Sequence, residues 1–150
     1  MKKAIRLAQA NLANGSGGPF GAVIVQGNRI VGQGANMVTS TNDPTAHAEI
    51  VAIRDACRAL KDFSLAGCAI YVNCEPCPMC LAAIYWAGIE KVYYAATRKD
   101  AADIGFADEF IYDELRKEQA DRAISLTQVM REEALPVFTA WNELDNKIPY

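Results

Sequence analysis

The sequence is short of several things, and each shortage removes a class of protein. No apolar run approaches the roughly 18 residues that a bilayer-spanning helix needs. The opening stretch, MKKAIRLAQANLANG, has Arg6 and polar residues where a signal peptide carries an unbroken apolar segment. The expectation is therefore a cytoplasmic protein with no membrane partner. Lysine and arginine form no cluster, and net charge is −3, which disfavours a large phosphate-backbone footprint and favours a small-molecule substrate. That charge is uneven: residues 1–98 carry nine basic and six acidic side chains, residues 99–150 six and twelve. Cysteines number five, an odd count, and most of the chain lacks them, unlike a secreted disulfide scaffold. Histidine is scarcest of all, present only as His47.

What is there reads as one layered α/β domain over 1–150, the 51% hydrophobic content being ample for a core. AIRLAQANLANG predicts a helix with Ile5, Ala8 and Leu12 on its apolar face, and FGAVIV and RIVGQGAN flank a Gly-Asn turn that predicts a hairpin. From about Thr45, with Asp43-Pro44 as cap and first residue, Ile50, Ile53, Cys57 and Leu60 make a helical stripe. CAIYVN predicts a strand, CPMCLAAIYWAG a helix closed by Gly88, and KVYYAA a central strand because both its faces are apolar. Residues 97–118 read as acidic loop and helix, ISLTQVM as a candidate last strand, and VFTAWNEL as a helix.

The chemistry-bearing residues concentrate at TAHAEI and NCEPCPMC. A lone histidine is ordinarily a core or surface residue, and a CxxC alone could be a redox dithiol, half a structural site or two core cysteines. Together, His47, Cys77 and Cys80 supply three ligands suited to zinc, the number that leaves a fourth position for water. Pro78 suits the first position of a helix, making Cys77 its cap and Cys80 a first-turn residue, where the helix's positive end favours thiolates. Cys74 lies on the strand side of Glu75-Pro76 and reads as a packing residue. Glu49 is either a capping acid or, beside a metal, a proton carrier. Residues i and i+2 of a regular helix point about 200° apart, so His47 and Glu49 can share one site only if the helix begins at that point.

HAE followed after 26 residues by PCPMC resembles the zinc-dependent nucleobase deaminase signature H-x-E…P-C-x-x-C. GGPFGAVIV, NDPTAHAEI, CEPCPMCLAAIYWA, GFADEF and the terminal Tyr150 resemble, more narrowly, the bacterial guanine deaminases. The resemblance implies a three-layer α/β/α cytidine-deaminase-like fold with a mixed five-stranded sheet. It also implies hydrolysis of guanine to xanthine and ammonia, metal-activated water attacking C2 with Glu49 as proton shuttle. On this resemblance one Zn2+ per site is held by His47, Cys77 and Cys80. Phe20, Asn36, Ala48, Trp86, Asp108 and Tyr150 would contact or enclose the purine, and Ala107 stands where an acidic residue often accompanies Asp108. A homodimer is implied, in which the part from about residue 98 can be swapped. By themselves these substrate residues read as a turn asparagine, core aromatics, a helix-starting acid and a chain end.

Three alternatives stay open on the sequence. One is a deaminase of another nucleobase, nucleoside or aminated heterocycle. Another is a tRNA adenosine deaminase, which would need a basic rim and an open site for a flipped base. The last is a zinc-stabilised interaction module without activity, which would need a fourth protein ligand or Glu49 turned away from the metal.

Overall fold

The computed structural model describes residues 1–149 and resolves into two compact units, 1–110 and 111–150. In the first unit, α1 (Lys2–Ala13) leads through a glycine-rich loop to the hairpin β1 (Gly21–Gln26) and β2 (Arg29–Ala35). A single turn, α2 (Val38–Thr41), precedes α3 (Ala48–Leu60). Then come β3 (Cys68–Cys74), α4 (Pro78–Trp86), β4 (Lys91–Ala96), the short α5 (Arg98–Ala102) and the start of α6 (Glu109–Arg116). The second unit contains the rest of α6, a 3-10 turn at Gln119–Asp121 and α7 (Arg131–Glu143).

The sheet has the order β2-β1-β3-β4, with β1 antiparallel to both neighbours and β3 parallel to β4 across the α4 crossover. It is mixed, as expected, but it has four strands among the described residues and not five. The expected last strand, residues 124–130, makes no ladder. Alternating apolar residues supply a face but not a partner, and Ile124, Leu126 and Val129 remain exposed. Met130 then takes a φ of 52° as the cap of α7, which turns the chain out of extended geometry. In consequence β4, expected to be central, is an edge of the sheet, and its Tyr93 and Tyr94 are about half exposed.

Helices cover the two faces by very close approach. A side chain at Gly21 of β1 would meet the Ala4 carbonyl at 2.3 Å and the Ala8 nitrogen at 2.8 Å, so α1 lies backbone to backbone on that face. On the opposite pleat, Ala22 and Ile24 join the core with α3 and Ile84 of α4. There a side chain at Gly34 of β2 would meet the Ala48 carbonyl at 2.5 Å, and one at Gly32 the Ala52 carbonyl at 2.5 Å.

This intimacy corrects the helical stripes read from hydropathy. The buried face of α1 is Ala4, Ala8 and Asn11, whereas Ile5 is 37% and Leu12 57% exposed. The buried face of α3 is Ala48, Glu49, Ala52 and Ala56, with Ile53, Cys57 and Leu60 only flanking the core. Small residues win the contact because a larger side chain would hold helix and strand apart.

Gly34→Ala is expected to lower stability by about 1–3 kcal/mol, since its new methyl meets backbone rather than a movable side chain. Denaturant titration checks this; an unchanged midpoint would contradict the close packing of β2 on α3.

Candidate metal centre

The site is assembled where two helices begin. α3 starts at Ala48, three residues later than the sequence suggested, because Asp43 and Pro44 belong to a turn instead. The Asp43 Oδ1 accepts from the Thr45 amide at 2.8 Å and from its hydroxyl at 2.6 Å. His47 is therefore the extended N-cap residue of α3 (φ −67°, ψ 158°), and Glu49 lies in the first turn. The geometric demand on His47 and Glu49 is met, since one stands outside the helix and the other inside it. Cys77 has the same relation to α4: extended N-cap (φ −66°, ψ 167°), Pro78 at the first helical position and Cys80 in the first turn. At its other end α4 closes through Gly88 in the left-handed region, φ 69°.

His47, Cys77 and Cys80 converge so that one ligand atom from each lies within 4.8 Å of the others. The His47 Nδ1 is 3.6 Å from the Cys77 sulfur and 3.5 Å from the Cys80 sulfur. Zn–S and Zn–N bonds of about 2.3 and 2.05 Å meeting at a tetrahedral angle place the two atoms about 3.6 Å apart. The residues thus fit zinc in donor type and spacing. Charge points the same way: two thiolates carry −2, and two helix N-termini return only about +1 together. A dication more than offsets the negative charge that remains.

Between themselves the two thiols share a proton unequally. Cys77 is pulled down to about 4, first by a hydrogen bond from the Cys80 thiol and also by His47, against its desolvation. Cys80 is pushed up by donating that bond and by burial. His47 is raised, chiefly by its hydrogen bond with Cys77. The Glu49 carboxyl is buried, 7% exposed, and desolvation raises its pKa; the charges of Cys77 and His47 are felt at it, which places it beside the cluster. Cys74 stays outside the ligand group. Its sulfur donates to the Thr97 carbonyl at 3.6 Å, and desolvation raises its pKa to about 11.

The substrate residues read from the sequence fall into two sets. Phe20 and Asn36 are brought together because they flank the open end of the hairpin, where Gly21 pairs with Ala35 and the Asn36 amide donates to the Phe20 carbonyl at 3.0 Å. Asn36 is tied towards the metal ligands through Met37, whose amide donates to the Ala46 carbonyl at 2.9 Å. Ala48, fully buried, is the first residue of α3. Asp108 returns to the cluster, its charge being felt at Cys77 and His47; burial, then Cys77, raises its own pKa. Trp86 is at the far end of α4 from Cys77 and is 74% exposed, so the chain does not bring it to its own cluster. Tyr150 lies outside the described residues.

Other residues that shape this region escaped the sequence reading. Phe106 packs edge-on against Phe20, centroids 4.9 Å apart. Glu75 accepts from the Arg98 amide at 3.0 Å, tying the cysteine loop to the start of α5. Asn73 clamps the segment around Phe20, its Oδ1 accepting from Gly21 at 2.7 Å and its Nδ2 donating to Pro19 at 2.9 Å. Only an asparagine in an otherwise apolar strand signalled it.

In zinc-stripped protein at about pH 6, alkylation is expected at Cys77 first, since only its thiol is largely ionised there. Peptide mass spectrometry reads the site, and zinc should protect it. Faster labelling of Cys57, whose pKa burial raises, would contradict the assignment.

Comparison with known proteins agrees with this geometry. Residues 1–96 match the cytidine and deoxycytidylate deaminase zinc-binding region. Guanine deaminase of Bacillus subtilis is 51% identical over 150 residues, covering 100% of this chain and 96% of that protein. Its crystal structure superposes with a TM-score of 0.95 over 99% of this chain and 95% of that one. A tRNA-specific adenosine deaminase of Aquifex aeolicus is 43% identical over 99 residues, 66% of this chain and 65% of its own length. The chain therefore belongs to the bacterial guanine deaminases, within the zinc-dependent cytidine and deoxycytidylate deaminase superfamily.

Proposed function

We propose that this chain hydrolyses guanine to xanthine and ammonia in a zinc-dependent reaction. The observation that carries the reading is the tetrahedral spacing of the His47, Cys77 and Cys80 donor atoms with the buried Glu49 carboxyl beside them. Near-full-length similarity to a guanine deaminase supports the substrate. When bound, zinc supplies the Lewis acidity that makes water a nucleophile near neutral pH.

The remaining work falls to the chain's own side chains. Glu49 takes the proton that water gives up and delivers protons to the ring nitrogen and to the departing amine at C2. Burial suits it to this exchange, since a carboxyl with a raised pKa returns a proton more readily than a solvated one. Asn36 presents its amide hydrogens to a purine acceptor, and Phe20, braced by Phe106, packs on the ring. Asp108 accepts from the guanine N–H groups, and Ala48 lines the floor at the helix start. Trp86 and Tyr150 help to enclose the base. The same reading includes a homodimer in which the part from about residue 98 can be supplied by either subunit; the place of Trp86 at the end of α4 away from Cys77 supports a dimer in which Trp86 serves the partner's site.

The acidic excess after residue 98 disfavours a tRNA substrate, whose phosphates it would repel. No helix among the described residues is long and apolar enough to cross a membrane. All five cysteines are free thiols, which supports placement in the reducing cytoplasm.

Ammonia release from guanine, guanosine, adenine, cytosine, cytidine and tRNA, with zinc measured in the same sample, tests the reading. Guanine alone is expected to react well; zinc-replete protein inert towards guanine would contradict it. Glu49→Gln is expected to keep its zinc and lose turnover by about 10²–10⁴-fold. Near-normal rates in that variant would contradict the proton-shuttle role.

A further inference from the structure

Asn11 is a polar residue on the buried face of α1, where its companions are Ala4 and Ala8. It is 7% exposed, and an amide in such a place is costly unless its donors are used. Both are used. Its Nδ2 donates to the Gly18 carbonyl at 2.8 Å and to the Asn36 carbonyl at 2.9 Å. One side chain thus joins α1, the glycine-rich loop and the residue that ends the hairpin.

Asn36 is held on every other side as well. Its backbone amide donates to the Phe20 carbonyl at 3.0 Å. Its Oδ1 accepts from the Gly18 amide at 3.2 Å and the Val38 amide at 3.3 Å, which fixes which way the carboxamide faces. Gly17 lies against it so closely that a Cβ would come within 2.3 Å of the Asn36 carbonyl oxygen. Of the hydrogen-bonding groups of Asn36, the Nδ2 is the one without a partner among the described residues. A carboxamide with its oxygen committed twice and its two N–H groups free is an oriented donor.

We infer that Asn11 is a positioning residue for guanine recognition: it fixes the Asn36 carbonyl and the Gly18 peptide so that the Asn36 amide hydrogens are aimed at the base. The inference rests on the guanine deaminase reading and adds a residue that touches neither metal nor substrate. A carboxylate at position 11 keeps the size of the side chain, has no donor, and faces two carbonyl oxygens.

The test is a double-mutant cycle on guanine deamination with Asn11→Asp, Asn36→Ala and the double variant, zinc content measured in each. Asn11→Asp is expected to lower kcat/KM on the order of 10- to 100-fold, mostly through KM, with zinc unchanged. In the Asn36→Ala background the same change should cost little further, because the group it positions is gone. Equal losses in both backgrounds would show a merely structural role and overturn the inference, as would unchanged kinetics in Asn11→Asp. Should the aspartate variant not fold, Asn11→Ala, which suits the alanine face of α1, serves in the same cycle. If Asn36→Ala alone leaves guanine turnover intact, the role of Asn36 and this inference fail together while the activity stands. A wild type without guanine turnover overturns both the activity and the inference.

Discussion

Two helices begin at the residues that also offer the metal ligands, and the rest of the site follows from that coincidence. An N-cap residue is extended, so its side chain projects past the helix end, while the next turn already points inward. His47 with Glu49, and Cys77 with Cys80, each use this step to bring two side chains from near-adjacent positions to one point. The unpaired amides and dipoles of both helices then favour negative charge where the thiolates gather. What places α3 there is the bare backbone of Gly34 beneath Ala48, and what places α4 is the end of β3 one short loop before Cys77.

Around this centre the chain uses side-chain amides where backbone pairing stops. The loop between α1 and β1 has no ladder of its own, yet Asn11 and Asn73 together bind Gly18 and Pro19 within it and Gly21 at the start of β1, fixing Phe20 between them. On the other flank, Glu75 and Cys74 join the cysteine loop to Arg98 and Thr97. From there α5, with its Thr97–Asp100 capping box, leads the chain to Phe106 and Asp108. Substrate residues remote in sequence are thereby referred to the two loops that carry the metal ligands.

The metal ligands were legible because their meaning is local: Pro78 fixes a helix start, and donor type with spacing fixes the chemistry. The place of Glu49 was legible only as a condition, that the helix start beside it. The helix faces were misread for a physical reason. Hydropathy ranks Ile5, Leu12 and Ile53 above alanine, but Gly21, Gly32 and Gly34 allow an approach that only alanine fits. Whether a glycine in a strand marks a turn or a contact depends on what lies opposite, which one chain segment does not state. The fifth strand failed likewise, since residues 124–130 have the alternation of a strand but no ladder partner. Asn11 was invisible because its partners are backbone carbonyls 7 and 25 residues away.

The central claim is an open, three-ligand zinc site made by one imidazole and two thiolates. X-ray absorption spectroscopy of the zinc-loaded protein addresses it directly, because sulfur and light-atom shells separate by distance. The account predicts two sulfur scatterers at about 2.3 Å and two nitrogen or oxygen scatterers at about 2.0–2.1 Å. A third sulfur, which would have to come from Cys74, or a zinc shell without two sulfurs, would contradict it.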